Sequence, residues 1–168
     1  MIFYLSLGSN IGDRQRSLDL ALSSLDGIIG VSSIYSTTAV GMEPGSDDFL
    51  NMVVCVETEH DPLALLSEVN RIEEKASRLR PFPMAPRTLD IDLIFSPGLT
   101  IETQRLNLPH KRAKDRLFVL LPLAELDELA ASVVYQGEFT LEGFYLGTYD
   151  SVFSDQKIEK YGDPPKIN

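Results

Sequence analysis

Two hydrophobic rhythms alternate along this chain, and their order predicts its architecture. Ile2–Leu7 is an apolar run of strand length, followed by Gly8-Ser9-Asn10-Ile11-Gly12-Asp13, a turn that also offers helix N-cap candidates. Leu18, Leu20, Ala21, Leu22 and Leu25 then recur at helical spacing up to Gly27. Residues 29–38 read as β-structure and 41–48, rich in Gly, Pro and Asp, as a loop. The clearest strand is 49–58, where alternation sets Leu50, Met52, Val54 and Val56 on one face and Phe49, Asn51, Val53 and Cys55 on the other. Asp61-Pro62 opens a helix that runs to about Ser77 on a stripe of Leu65, Leu66, Val69 and Ile72. A breaker-rich loop, 80–86, leads into a last apolar strand around Asp90 and Asp92.

The order β-α-β-β-α-β predicts an α+β fold, a ferredoxin-like plait with an antiparallel sheet and extra C-terminal short helices and strands. Residues 97–116 read as loop with short strands, and Phe118–Leu126 as one or two short helices broken at Pro122. From Gly147 the chain turns polar and acidic without a clear period, so 147–168 is expected to be a peripheral tail on a single domain spanning 1–168.

Composition narrows the function. With 168 residues, 43% hydrophobic and 24% charged, the chain is a globular domain and not a disordered one. The apolar opening lacks a basic flank and turns polar at once, which reads as a first strand and not a signal peptide. No apolar run reaches the ~20 residues of a membrane span. Cys55, the lone cysteine, has no internal disulfide partner, and the expected location is the cytoplasm. A net charge of −10 argues against nucleic-acid and anionic-membrane partners. The charge is uneven: residues 71–116 hold ten Lys/Arg against six acids, a local +4 that leaves −14 for the rest. That concentration suggests a localised anion site.

The chemistry centres on Pro86-Arg87-Thr88-Leu89-Asp90-Ile91-Asp92-Leu93-Ile94-Phe95. On a strand, Asp90 and Asp92 share one face roughly 6.5–7 Å apart, while Leu89, Ile91 and Leu93 share the other. Two carboxylates so close repel, and a cation between them removes the conflict. Oxygen-only ligands suit Mg²⁺ bound together with substrate phosphates, and Arg87 is a residue type that holds phosphate. Structural calcium sites, sugar transferases and plain sheet-edge alternation also use such a pair, so the pair alone leaves the reaction open.

Several segments resemble one family in its order: Leu7-Gly8-Ser9-Asn10, Tyr35-Ser36-Thr37 with Val40-Gly41, Phe49-Leu50-Asn51, Arg71-Ile72-Glu73, Arg78-x-Arg80, the Pro86–Asp92 signature, and Pro109-His110-x(5)-Arg116-Leu117-Phe118. Over residues 1–130 the chain resembles 6-hydroxymethyl-7,8-dihydropterin pyrophosphokinase of the folate pathway, itself a ferredoxin-like plait. The resemblance implies an enzyme that transfers pyrophosphate from ATP to a pterin alcohol and releases AMP. It implies that Asp90 and Asp92 ligate two Mg²⁺ ions and that Arg78 and Arg87 are catalytic arginines on the triphosphate. Thr37, Val40, Phe49, Asn51 and Phe118 would form the pterin pocket, the two phenylalanines as its aromatic faces and Asn51 as reader of the ring's edge. Asn70, Glu73, Arg80, Arg87, Arg105, Asn107, His110 and Arg116 would contact ATP. The chain departs from the family where a Trp is usual: Met84 stands at about that position, in a loop one residue shorter, and Ser77 replaces a common Gly. Three rival readings remain open: a degenerate relative that binds pterin or ATP without transfer, a Mg²⁺-dependent phosphotransferase with another acceptor, and an RNA-binding plait, which the acidic charge disfavours.

Overall fold

A computed structural model describes residues 1–38, 48–78 and 89–167. The first strand, β1 (Ile2–Ser9), runs down the middle of the sheet and is followed by α1 (Arg14–Ser24). Asp13 is the N-cap of α1, its side chain accepting the Arg16 amide at 3.0 Å. The β-region expected over 29–38 is two strands, β2 (Ile28–Val31) and β3 (Ile34–Thr38). The break falls at Ser32-Ser33, where the Ser33 amide leaves the ladder and donates to the Glu125 carboxylate at 2.6 Å. Strand β4 (Phe49–Glu57) follows, then α2 (Pro62–Arg78), capped by Asp61, whose Oδ1 accepts the amides of Leu63 and Ala64 at 2.9 and 3.1 Å.

Strand β5 (Asp90–Phe95) closes the plait. The sheet order is β5-β1-β4-β3, all neighbours antiparallel, with β2 beside the far half of β4. A small ribbon, β6 (Ile101–Glu102) with β7 (Asn107–Leu108), comes next, and Ala113–Asp115 forms a single 3₁₀ turn. Three helices follow: α3 (Leu117–Leu126), α4 (Glu128–Tyr135) and α5 (Leu141–Tyr145).

Helix α3 corrects the expectation of a break at Pro122, for it runs through the proline without interruption. Pro122 removes one backbone donor, which costs stability in isolation. Burial of Leu117, Val119, Leu120, Leu121, Leu123 and Ala124 around it offsets that cost. Nor does the segment from Gly147 lie apart as a polar tail. Tyr149 and Phe153 are buried, and β8 (Lys157–Gly162) joins the sheet against β3, pairing Thr37 with Ile158 and Tyr35 with Lys160. The pairing follows from supply: β3 offers a free edge, and backbone groups find their partners there.

Alternation along the central strands splits the interior in two. Phe3, Leu5, Leu7, Leu50, Met52, Val54, Val56, Ile91 and Leu93 form one core with Leu18 and Ala21 of α1 and Leu65, Val69 and Ile72 of α2. Tyr4, Tyr35, Val53, Cys55 and Ile94 on the opposite face pack with α3 and α4. Two tyrosines pin these helices down: Tyr35 donates to Glu125 Oε1 at 2.5 Å and Tyr4 to Asp127 Oδ2 at 2.7 Å. The helices cover only part of this second face.

Candidate active site

What the helices leave uncovered is a cleft of about 510 Å³, lined by strand residues and by the start of α3. Register explains its floor. Gly8 of β1 stands opposite both Asp90 of β5 and Asn51 of β4, and Ser6 stands opposite Asp92. Directly opposed residues share a face, so Asp90, Gly8 and Asn51 form a row across the sheet, with Asp92 and Ser6 one step along. Thr37 pairs with Phe49 and completes the far wall. All of these residues line the cleft.

Asn51 is only 3% exposed, and a buried amide needs partners. Its Nδ2 donates to Thr37 Oγ1 at 2.8 Å, which fixes the plane of the amide. Its carbonyl lies against Gly8: a Cβ at position 8 would sit 3.1 Å from Asn51 Oδ1, so the glycine gives the amide its room. Phe49 and Phe118 are both half-buried and both line the cleft. Leu117 and Val119, the neighbours of Phe118, are buried in the second core.

The carboxylate end is electrostatically mixed. Arg116 Nη1 lies 3.5 Å from Asp92 Oδ2, and the same guanidinium sits over the Phe118 ring at 5.5 Å. One side chain therefore touches both the acidic and the aromatic part of the cleft. Glu73 supports the acidic strand from below, its Oε1 accepting the Ile91 amide at 2.8 Å between the two aspartates. His110 is half-buried beside this end, and its amide donates to the Ile94 carbonyl at 2.8 Å. Burial holds its pKa below the ordinary histidine value; nearby Asp92 and Asp90 oppose that shift, and Arg116 and Arg112 reinforce it. The imidazole Nδ1 accepts the Arg112 amide at 3.3 Å, which leaves Nε2 as the donor of the neutral ring.

Among the described residues no group of three or more His, Cys, Asp and Glu gathers to hold a metal. A pair of carboxylates alone is an incomplete, all-oxygen donor set. That chemistry fits Mg²⁺, which keeps waters and takes substrate phosphate oxygens as its other ligands.

Of the residues singled out in the sequence, Asp90, Asp92, Thr37, Phe49, Asn51, Arg116 and Phe118 come together in the cleft. Asn70 on α2 and Arg105 between β6 and β7 are exposed and are not part of its lining. Asn107 lies on β7, its Oδ1 buried without a hydrogen-bond partner among the described residues. Val40, Arg80, Met84 and Arg87, and the side chains of Ser77 and Arg78, lie outside the described residues. Sequence reasoning gave no site role to Ser6, Asp115 and residues 155–158, and it quoted Gly8, Ser9, Asn10 and Leu117 only as parts of resembling segments; all of them line the cleft. For Ser6 and Gly8 a signal existed, since any pairing of the first strand with the Asp90 strand brings alternate residues of both to one face. Residues 155–158 carry no such local mark.

A ferredoxin-like sheet with a polar, aromatic-walled cleft and a carboxylate pair at one end defines a small-molecule site. Comparison with known proteins narrows this: residues 4–128 match the model of the family described as 7,8-dihydro-6-hydroxymethylpterin-pyrophosphokinase (HPPK), and the chain belongs to that family. It is 40% identical over 147 residues to the 2-amino-4-hydroxy-6-hydroxymethyldihydropteridine pyrophosphokinase of Bacillus subtilis (strain 168), covering 84% of this chain and 87% of that protein. The protein of the same name from Methylorubrum extorquens is 38% identical over 144 residues, covering 83% of this chain and 89% of the other. The fold is shared with the crystal structure of Plasmodium falciparum HPPK-DHPS (TM-score 0.62, 16% identity), which spans 99% of this chain while this chain spans 46% of that larger one. No described helix is long and apolar enough to cross a membrane.

Proposed function

We propose that this protein transfers pyrophosphate from ATP to the hydroxymethyl group of 6-hydroxymethyl-7,8-dihydropterin, releasing AMP, as a step of folate biosynthesis. The observation that carries the reading is the row Asp90–Gly8–Asn51 on the open face of a chain of this family, a carboxylate pair next to an amide held for recognition.

Asn51 presents an amide to the donor and acceptor edge of the pterin, and the bond to Thr37 keeps that amide from rotating. Phe49 and Phe118 stack on the planar ring, each pair adding about 0.5–1.5 kcal/mol beyond burial. Holding the ring orients the hydroxymethyl oxygen for in-line attack on the β-phosphorus, and positioning of this kind supplies a large share of such catalysis. The hydroxyl gives up its proton, to Asp90, Asp92 or water, as its oxygen bonds to the β-phosphorus; the bond from that phosphorus to the α-phosphate oxygen breaks, and AMP departs. Asp90 and Asp92 are the residues that would hold Mg²⁺, two ions by family resemblance. When bound, the metal neutralises phosphate charge and orients the oxygens. Arg116 adds positive charge beside Asp92, with Arg78 and Arg87 as further arginines on the triphosphate. His110, whose Nδ1 is taken by the Arg112 amide, offers Nε2 as a polar contact to the nucleotide.

The test is AMP release from MgATP with and without the pterin alcohol, repeated on Asp92→Ala. The expected outcome is pterin-dependent AMP that falls by at least about a hundredfold in the variant, the scale of losing one stabiliser of transition-state charge. Pterin binding without AMP from the unaltered chain would instead favour the binding-only reading.

A further inference from the structure

The C-terminal segment lies beyond residues 4–128, the part of the chain that the family model matches, yet it reaches the cleft. Residues 155–158 form part of the cleft lining, where the chain enters β8 and pairs Ile158 with Thr37. One side chain there does more than line a wall. Gln156 Oε1 accepts the Leu117 amide at 2.8 Å, and its Nε2 donates to the Asp115 carbonyl at 2.9 Å. The two bonds grip the backbone on either side of Arg116.

The grip matters because the junction it holds has little of its own. Arg116 is the N-cap residue of α3 and makes no side-chain cap, so the first amide of the helix looks outside the helix for a partner. Gln156 supplies it, from 39 residues further along the chain. The fixed peptide carries Arg116, which reaches Asp92, and leads directly into Phe118, over whose ring the same guanidinium lies. A shift of this turn therefore moves the acidic and the aromatic contacts of the cleft together.

We propose that Gln156 is a positioning residue of the active site, acting through Arg116 and Phe118 to set the acceptor side of the cleft, so that the C-terminal segment is a working part of the enzyme. The inference rests on the pyrophosphate-transfer reading for its kinetic test, and on the geometry alone for its structural one.

In the full chain, Gln156→Ala is expected to lower kcat/KM for the pterin by roughly tenfold, since small misplacements of orienting groups cost ten- to a hundredfold. Gln156→Glu keeps the acceptor for Leu117 but turns a repulsive oxygen on the Asp115 carbonyl, and should fall between the two. Thr140→Ala, which removes the cap bond to Gly143 in the same C-terminal region, should lower the melting temperature without changing kcat/KM. The deciding measurement is the double-mutant cycle with Arg116→Ala. A positioning residue that acts partly through Arg116 loses that part of its effect there, so the Gln156 penalty should be smaller than in the unaltered chain, the remainder being what passes through Phe118. An undiminished penalty in the Arg116→Ala background, or a Gln156→Ala enzyme within twofold of the unaltered one, would overturn the proposal.

If the unaltered chain releases no pterin-dependent AMP, the reaction reading fails separately, and hydrogen exchange at the Leu117 amide then decides. Faster exchange in Gln156→Ala, with a shifted Arg116 side-chain resonance, supports the grip. Unchanged exchange overturns it.

Discussion

The two faces of the central sheet are built from the same strands and could hardly differ more. In β1, Phe3, Leu5 and Leu7 are fully buried under α1 and α2, while the residues that alternate with them, Tyr4, Ser6 and Gly8, become steadily smaller toward the cleft. In β4, Leu50, Met52 and Val54 face the closed core, and Asn51 faces the cleft beside Val53 and Cys55. Strand β5 repeats the division, with Ile91 and Leu93 on one side and Asp90 and Asp92 on the other. The closed face holds the molecule together, and the open face keeps polar groups in place by hydrogen bonds and register. A two-residue period lets one strand do both without compromise.

The sharpest way to test this division is to damage the closed face alone. Leu5→Ala removes a fully buried side chain and should cost about 3–4 kcal/mol, read as a fall in melting temperature of roughly 10 °C for a chain of this size. The protein that remains folded should keep its KM for the pterin, and a change in KM out of proportion to stability would mean that the faces are coupled. Next in size is Asn51→Ala on the open face. It strips the amide that bonds Thr37 and should raise KM for the pterin about tenfold, the effect of roughly one good polar contact, with a fall in melting temperature smaller than that of Leu5→Ala.

The smallest effect is expected from alkaline pH. Cys55, Tyr4 and Tyr35 all sit on the helix-covered part of the open face, and burial pushes each pKa above its ordinary value of 9.0 for the thiol and 10.0 for the phenols. The carboxylates of Asp127 and Glu125 push the same way on Tyr4 and Tyr35, as does Tyr145 on Tyr35. Because the fold favours the protonated forms, their contribution is complete below the ordinary values. It fades as pH climbs past them, since the unfolded chain then loses protons more readily than the native one. Urea unfolding from pH 8 to 10.5 should show stability declining gradually above about pH 9, and Cys55→Ala should delay the onset. A flat profile would remove these groups from the argument.

Much of this was legible in the chain itself. The division of 49–58 into two faces, the shared side of Asp90 and Asp92, and the caps Asp13 and Asp61 each depend on residues a few positions apart. Periodicity and turn chemistry report such features directly. The continuity of α3 through Pro122 was not legible, because the burial that offsets the proline comes from strands and helices distant in sequence. The opposition of Gly8 to Asn51 was half legible: Asn51 lay on a recognisable strand, but Gly8 was read as the start of a turn, whereas the strand runs on to Ser9 and sets the two opposite by register.

The sequence by itself determined the β-α-β-β-α-β order over residues 2–95 and which side chains of its strands share a face. Only the tertiary structure decided that α3 and α4 stop short of Asp90, that β8 finds the free edge of β3, and that Gln156 reaches back across 39 residues to Leu117. The physical reason is the range of the interactions. Alternation and capping act within a turn or two of the chain. The cleft instead depends on which distant backbone groups remain unsatisfied and which surfaces are left uncovered once the core has closed.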